Sequence, residues 1–533
     1  MSLTLKYAPF LIRGRYRLAG ARRLTRRGQG PTKKLAALLA LTLLSLTAFS
    51  NVLVLASYGS QGGTNSYANI TTQLPSVLNY AKEIGLTNPA ANMTVSFVLP
   101  ATDVKQLDLF LSEMNNPGSP YYHKYLTAQQ YDSLFGPDAG ELAQLQSYLG
   151  QYGITVSRGG QISPGSASLS PDQFVLLAHG SVAEFEQALK TQIQDYQYKG
   201  AQFYSAASQA KLPNQFGNLL MIYGMNDWQQ SGQDRGAVPL YRTLYQSFEN
   251  PNQTPGNFFA YSPSEIAQTY NLTSLYKSGV NGSGVTIAIV DAYGDPYIQD
   301  EVNNFSKQFN LPPISVNTIC VDGPCNMTLG ITTGWNVEIA LDVEWAHALA
   351  PGAKINLYIG SNSGQALYDA EEAAVNGYGS TTPNNIISNS WGIPENDIAS
   401  SASVAPVFGE NYPWLDQVMQ QAAAEGITVF AASGDWGAYD QAFGQTSPYG
   451  GAVYPSTDPY VTGVGGTTLY MQTQSGYLTW PFMNATGGYG TETAWSWNNL
   501  NGWGTGGGFS TLFAKPSWQT GPGVSSNPTR GGA

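Results

Sequence analysis

Residues 285–292, VTIAIVDA, form an apolar run with one acid, Asp291, next to its end. The run leaves no polar face, as a strand covered on both sides requires; a strand with one wet face would alternate. Four further runs repeat the pattern: KINLYIG at 354–360, NIISNSWG at 385–392, ITVFAASGD at 427–435 and YVTGVGG at 460–466, with helical segments between most of them. Such strands predict an α/β unit over residues 259–533, with a parallel sheet covered by helices on both faces. Functional side chains of these sheets gather where the strands end at their carboxyl edge. Asp291, Ser390, Trp391 and Asp435 stand at such ends.

Between the first two strands lies GWNVEIALDVEWAHALAPGA, residues 334–353, which reads as one helix. It sets Glu338 and Asp342 one turn apart on a shared face. Like charges at that spacing cost an isolated helix about 0.2–0.5 kcal/mol. The cost grows if the pair is desolvated beside Ile339, Leu341 and Val343. Either the pair is a solvated acidic stripe, or it is kept for chemistry.

Upstream, residues 93–225 alternate short strand-like runs with amphipathic helices: MTVSFVLP, ATDVKQLDLFLSEMN, ELAQLQSYLGQYG, ITVSRG, QFVLLAHG and VAEFEQALKTQI. That order predicts a small α+β domain, spanning 57–225, with helices on one face of an antiparallel sheet. Residues 226–258 lose periodicity and collect Gln, Gly, Pro and Asn, which predicts an exposed linker.

The 533 residues carry 24 Lys and Arg against 35 Asp and Glu, a formal net charge of −11. Ten of the cations fall in residues 1–34, which contain no acid, so residues 35–533 carry −21. A body so short of clustered cations argues against nucleic-acid binding. The charged fraction is only 11%. Solvation resting on Ser, Thr, Asn, Gln and Tyr survives protonation of carboxylates and is compatible with an acidic exterior. Residues 35–56, LAALLALTLLSLTAFSNVLVLA, follow the basic run without a charge, so 1–56 reads as a basic leader with a signal peptide or an anchor. Ser57 and Gly59 favour cleavage, and either form sends the remainder outside. Cys320 and Cys325 bracket VDGP; two exported thiols so close predict a small disulfide rather than a metal site. Eight Asn-x-Ser/Thr sequons, Asn69, Asn271 and Asn484 among them, suit an exported chain but arise easily in an Asn-rich one.

A hydrolase of the usual kinds lacks its parts. The three histidines are His123, His179 and His347; the first two lie in the N-terminal domain and the third on the helix above, outside any HGTHVAG-like context. No HExxH or paired-Cys motif offers a zinc site. Carboxylate chemistry remains: a Glu can act as general base when a neighbour tunes and orients it. Glu338 with Asp342 would supply that pair.

GWNVEIALDVEWAHALAPGAKINLYIG, SNSWGIPE, ASGDWGAYD, VTGVGGTTL, ETAWSWNN and GWGTGGGFSTLFAKPSWQ, in this order, resemble the sedolisins, the serine-carboxyl peptidases with a subtilisin-like fold. PGSPYYHKYLTAQQYDSLFGPDAGELAQLQSYLGQYGITV resembles the activation propeptide of that family. The resemblance implies Glu338 as general base, Asp342 as the carboxylate that orients it, and Asp435 as the donor to the oxyanion. It matches Asp291 to an acidic position behind that pair and Trp391 to a tryptophan packed near the network. Gly506–Gly508 with Ser510 reads as a place where backbone approaches a ligand closely, or as a flexible turn. Sedolisins carry the nucleophile in a Gly-Thr-Ser motif followed by a calcium site, both downstream of the PSWQ-like segment. GGTN at 62–65 and GGTT at 465–468 do not match it. The expectation is a secreted, acid-acting proenzyme whose nucleophile and calcium ligands are missing from this chain, as truncation of a longer reading frame would leave it. Its partners would be protein or peptide substrates and its own propeptide as intramolecular inhibitor, with membrane contact only through the N-terminal hydrophobic segment and an extracellular or cell-surface location. The alternative is a noncatalytic exported peptide-binding or envelope protein on the same scaffold; a propeptide domain inhibiting peptidases in trans is a third reading.

Overall fold

The computed structural model describes residues 66–72, 74–158, 174–228, 238–239, 261–321, 324–378, 381, 384–395, 413–435, 437, 451–473, 478–479, 485–497, 503–521 and 529–531. The leader over 1–56 and most of the linker lie outside them. No described helix is long and apolar enough to cross a membrane.

The N-terminal α+β domain contains β1 (Asn92–Val98), α1 (Val104–Met114), α2 (Ala128–Phe135), α3 (Ala139–Gly150), β2 (Thr155–Arg158), β3 (Val175–Ser181), α4 (Val182–Leu189) and β4 (Met221–Tyr223). Its antiparallel sheet runs β2-β3-β1-β4. The helix starts are written in polar side chains: Ser181 caps α4 in a reciprocal box with Glu184, and Thr127 does the same with Gln130 for α2, each box satisfying otherwise orphaned amides. Alternation along the strands divides the sheet. Val95, Phe97, Leu176 and Ala178 face Leu142, Leu145 and Leu149 of α3 and Phe185 and Leu189 of α4 in one core.

The second sheet uses β5 (Thr286–Ala292), α5 (Ile298–Phe309), β6 (Asn317–Val321), α6 (Trp335–Leu349), β7 (Lys354–Gly360), α7 (Gln365–Asn376), β8 (Ile386–Asn389), α8 (Pro413–Glu425), β9 (Thr428–Ala432) and β10 (Val461–Val464). Its six strands are all parallel, in the order β6-β7-β5-β8-β9-β10. This is the parallel sheet that the apolar runs predict. Ile287, Ile289, Leu357 and Ile359 pack against α5 and α6 on one face. Ala288, Val290 and Tyr358 pack against α7 and α8 on the other.

That second face continues into the N-terminal domain, since Val98, Val175, Leu177, Met221 and Tyr223 join the same core as Ala370, Ala373, Met419 and Ala422. The antiparallel sheet is thus covered on both sides, by its own helices and by α7 and α8. Polar bonds cross the contact. Gln417 accepts from the Ala101 amide at 2.7 Å and donates to the Leu99 carbonyl at 3.3 Å. Glu372 accepts from the Phe174 amide at 3.2 Å, Asp369 from the Tyr223 hydroxyl at 2.7 Å, and the Leu126 amide donates to the Ala424 carbonyl at 2.9 Å.

The linker needs one correction. Its described residues Val238–Pro239 are not free of the body: they pair antiparallel with Trp391–Gly392. Val238 precedes a proline, which favours extended backbone, and the strand Trp391–Pro394 bonds to Val453–Tyr454 on its other side. The helix expected over 334–353 runs from Trp335 to Leu349. Gly334, at φ 90°, turns the chain left-handed between the helix Met327–Thr333 and α6, a conformation that glycine adopts without strain. Ala350, before Pro351, leaves the helical region at φ −128°, as a residue preceding proline tends to do.

Candidate active site

The carboxyl edge of the parallel sheet brings the expected acids together. Asp291 is the penultimate residue of β5, Ser390 follows β8, Asp435 lies three residues beyond β9, and α6 carries Glu338 and Asp342 across the same edge. Glu338 is only 1% exposed and Asp291 is fully buried; a solvated stripe is excluded. Leu341 is 43% exposed, so the helix turns Glu338 inward with Ile339 and Val343 and Leu341 outward.

The electrostatics follow from that placement. Burial pushes Glu338 well above the usual carboxyl range, and the charges of Asp342, Asp291 and Asp435 add to the push, while a hydrogen bond with Ser390 opposes it. Burial raises Asp291 strongly too, with Asp342 adding repulsion. Asp342 is raised by burial to about 7, against a lowering hydrogen bond from Ser390. Burial lifts Asp435 to about 6. Both oxygens of Asp291, Oε2 of Glu338 and Oδ2 of Asp342 are buried without a hydrogen-bond partner. Ser390 Oγ donates to Asp342 Oδ1 at 2.8 Å. Glu338, with Asp342, Asp291 and Asp435 all acting on it, stands in a cluster that will share protons rather than ionise together.

Trp391 stands elsewhere than beside the acids. Its ring lies on the α7 face with Tyr368, 5.7 Å between ring centroids, and its Nε1 donates to the Val290 carbonyl at 3.0 Å. It therefore supports the strand that carries Asp291 from the opposite side of the sheet. The glycine run meets backbone at Gly506: its amide donates to the Gly434 carbonyl, its carbonyl accepts from Ser433 Oγ at 3.0 Å, and a Cβ there would lie 2.0 Å from the Ser433 carbonyl. This close approach fixes the loop that presents Asp435. Ser510 is buried and donates to Glu395 at 2.6 Å, which makes it a structural tie. His347 is buried with a ring nitrogen 2.8 Å from the Pro312 carbonyl, on the α5 side of the helix. Cys320 and Cys325 form a disulfide at the end of β6. Ser390 is the site residue that spacing underweighted: its place at a strand end was legible, its bond to Asp342 was not.

The chain is similar to several known proteins. The profile of the pro-kumamolisin activation domain matches residues 79–227. Kumamolisin from Bacillus sp. (strain MN-32) is 29% identical over 416 residues, which cover 78% of this chain and 67% of that protein. Sedolisin from Pseudomonas sp. (strain 101) is 24% identical over 490 residues, 87% of this chain and 74% of that protein. Tripeptidyl-peptidase 1 of Homo sapiens is 24% identical over 456 residues, 82% of this chain and 68% of that protein. Among solved structures, Pseudomonas sedolisin (serine-carboxyl proteinase) complexed with two molecules of pseudo-iodotyrostatin aligns with a TM-score of 0.41 at 25% identity, over 52% of this chain and 70% of that one.

Proposed function

The chain is a sedolisin-family protein that carries its own activation domain, and from that premise we propose that it is the proenzyme form of a secreted, acid-acting serine-carboxyl endopeptidase. The observation that carries this reading is the convergence of Glu338, Asp342, Asp291 and Asp435, whose titration is moved by burial and by one another. Glu338 is assigned as the base that takes the proton of a serine hydroxyl as that oxygen attacks a peptide carbonyl. Asp342 orients it. Asp435, neutral below about 6, donates its own O–H to the carbonyl oxygen as negative charge develops there, which ties the chemistry to acid. Export is proposed from the basic run and the uncharged residues 35–56. Calcium is expected alongside the nucleophile; the described residues hold no group of three or more His, Cys, Asp or Glu fit for a metal ion, and no step runs through it.

The serine that the family resemblance assigns belongs to a Gly-Thr-Ser motif, and that tripeptide does not occur in the 533 residues. The 533-residue polypeptide alone is therefore expected to turn over no peptide at any pH, and this same observation favours the noncatalytic alternative, a peptide-binding protein on the scaffold. Turnover that survives purification and disappears in Glu338→Ala would overturn the assignment of the nucleophile. In an enzyme that carries the serine, processing is expected within the connection between the two domains. Acidification should cut it between Asp227 and Phe259, and an active protein that stays full-length in acid would contradict this.

A further inference from the structure

Ser390 occupies the one position where β8 gives way to the strand Trp391–Pro394, and alternation turns its side chain to the α6 face, opposite Trp391. The groups it meets are the two acids of α6, Glu338 and Asp342, and Asp291 of β5 and Asp435 of the loop after β9 act in turn on Glu338. Its hydroxyl donates to Asp342 Oδ1 at 2.8 Å and also hydrogen-bonds Glu338. The remaining oxygens, Glu338 Oε2 and Asp342 Oδ2, are buried without partners. A hydroxyl has one proton to give and two lone pairs to receive. It can therefore donate to one carboxylate while accepting from a protonated neighbour.

Resting on the peptidase reading above, we propose that Ser390 is the positioning residue of the carboxyl pair, a hydroxyl that holds Asp342 and bridges it to Glu338. At rest burial keeps the shared proton on Glu338, and the donation from Ser390 holds the charge on Asp342. When Glu338 must act as base, its O–H proton passes to Ser390 Oγ while the serine's own proton moves to Asp342 Oδ1. Glu338 is left as carboxylate, Asp342 as acid and Ser390 neutral, so one proton has crossed and no co-reactant is needed.

The test uses the full chain labelled with ¹³C at Asp and Glu carboxyl carbons, with Asp342→Asn and Glu338→Gln spectra assigning the pair. Ser390→Ala should raise the proton affinity of Asp342 by about tenfold or more, the preference that a hydrogen bond to a charged acceptor carries. Ser390→Thr, which keeps the hydroxyl, should restore the parental midpoint, and Ser390→Cys, close in size with a weak donor, should fall between. An Asp342 midpoint unchanged in Ser390→Ala, or shifted equally in Ser390→Thr, would overturn the proposal. These midpoints are read without turnover, so a lack of peptidase activity counts against the functional reading alone. In an enzyme that carries the nucleophile, Ser390→Ala should lower kcat with KM kept and displace the acid limb of the pH profile.

Discussion

At the residue scale, Glu338 decides whether its helix is catalytic or ornamental. Its folded-state value lies above that of an unfolded glutamate because burial disfavours the charge. The stabilising share of such a group is fully present below the unfolded value and is lost as pH rises through the folded one. Glu338→Gln removes the ionisable group, so its stability should match the parent's in acid and exceed it at pH 8, by on the order of 1–3 kcal/mol. Urea unfolding across pH 4–8 reads the difference; a gap that narrows toward neutral pH would contradict the burial. In an enzyme with the serine, the same substitution should cut the rate by roughly 10² to 10⁴ fold. Asp342→Asn should act in the same direction, and the double variant should cost far less than the product, because the two act as a unit. Asp435 titrates at about 6 and donates only when protonated, so the parental rate should fall as pH rises through that value. An amide donates at any pH. Whatever activity Asp435→Asn retains should persist above pH 6, and a limb unchanged from the parent's would remove Asp435 from the oxyanion role.

At the element scale, the strand ends explain why these acids meet. The β5 strand turns apolar residues to both faces and delivers Asp291 to its carboxyl end, where α6 crosses with Glu338 and Asp342. Trp391 braces that strand from behind through the Val290 carbonyl. Trp391→Phe loses this hydrogen bond and leaves unfilled volume in a closed core, together about 2–4 kcal/mol. Its ring lies on the face away from the acids, so the pH dependence of unfolding should keep the parental shape while its level drops. A changed shape would place Trp391 in the proton network itself. The disulfide was readable from spacing, whereas the sequence showed only that His347 stands outside a triad context and not that it is a core residue. The Gly506 contact was not, because nothing local in GTGGGFS announces that Ser433 and Gly434 lie against it.

At the scale of the whole molecule, the activation domain covers a mixed face of α7 and α8, in which Ala370, Ala373, Met419 and Ala422 meet its apolar sheet residues. Asp369, Glu372 and Gln417 make the polar bonds of that contact, with Asp108 of α1 acting on Asp416. Burial, with Asp369 adding repulsion, lifts Glu372 to about 8, and burial with Asp108 lifts Asp416 to about 7. Undocked, these groups would face water and titrate near ordinary values. Docking is then strongest below those values and weakens as pH rises through about 7–8. Acid should tighten this contact, so titration of the interface alone should not release the domain. Hydrogen exchange along α7 and α8, corrected for intrinsic rates, should slow from pH 8 to pH 5, and Glu372→Gln with Asp416→Asn should flatten the trend. Faster exchange on acidification would reverse the sign.

The sequence by itself determined the parallel sheet, the two-domain order and the identity of the acids. Continuous apolar runs admit few other partners, and strand-end positions follow from the runs that precede them. Only the tertiary structure decided that Glu338 is buried, that Ser390 rather than Trp391 bonds to Asp342, and that residues 238–239 pair with Trp391–Gly392. Those outcomes depend on which face each strand end presents and on which elements approach it from far along the chain. Local propensity carries no record of either.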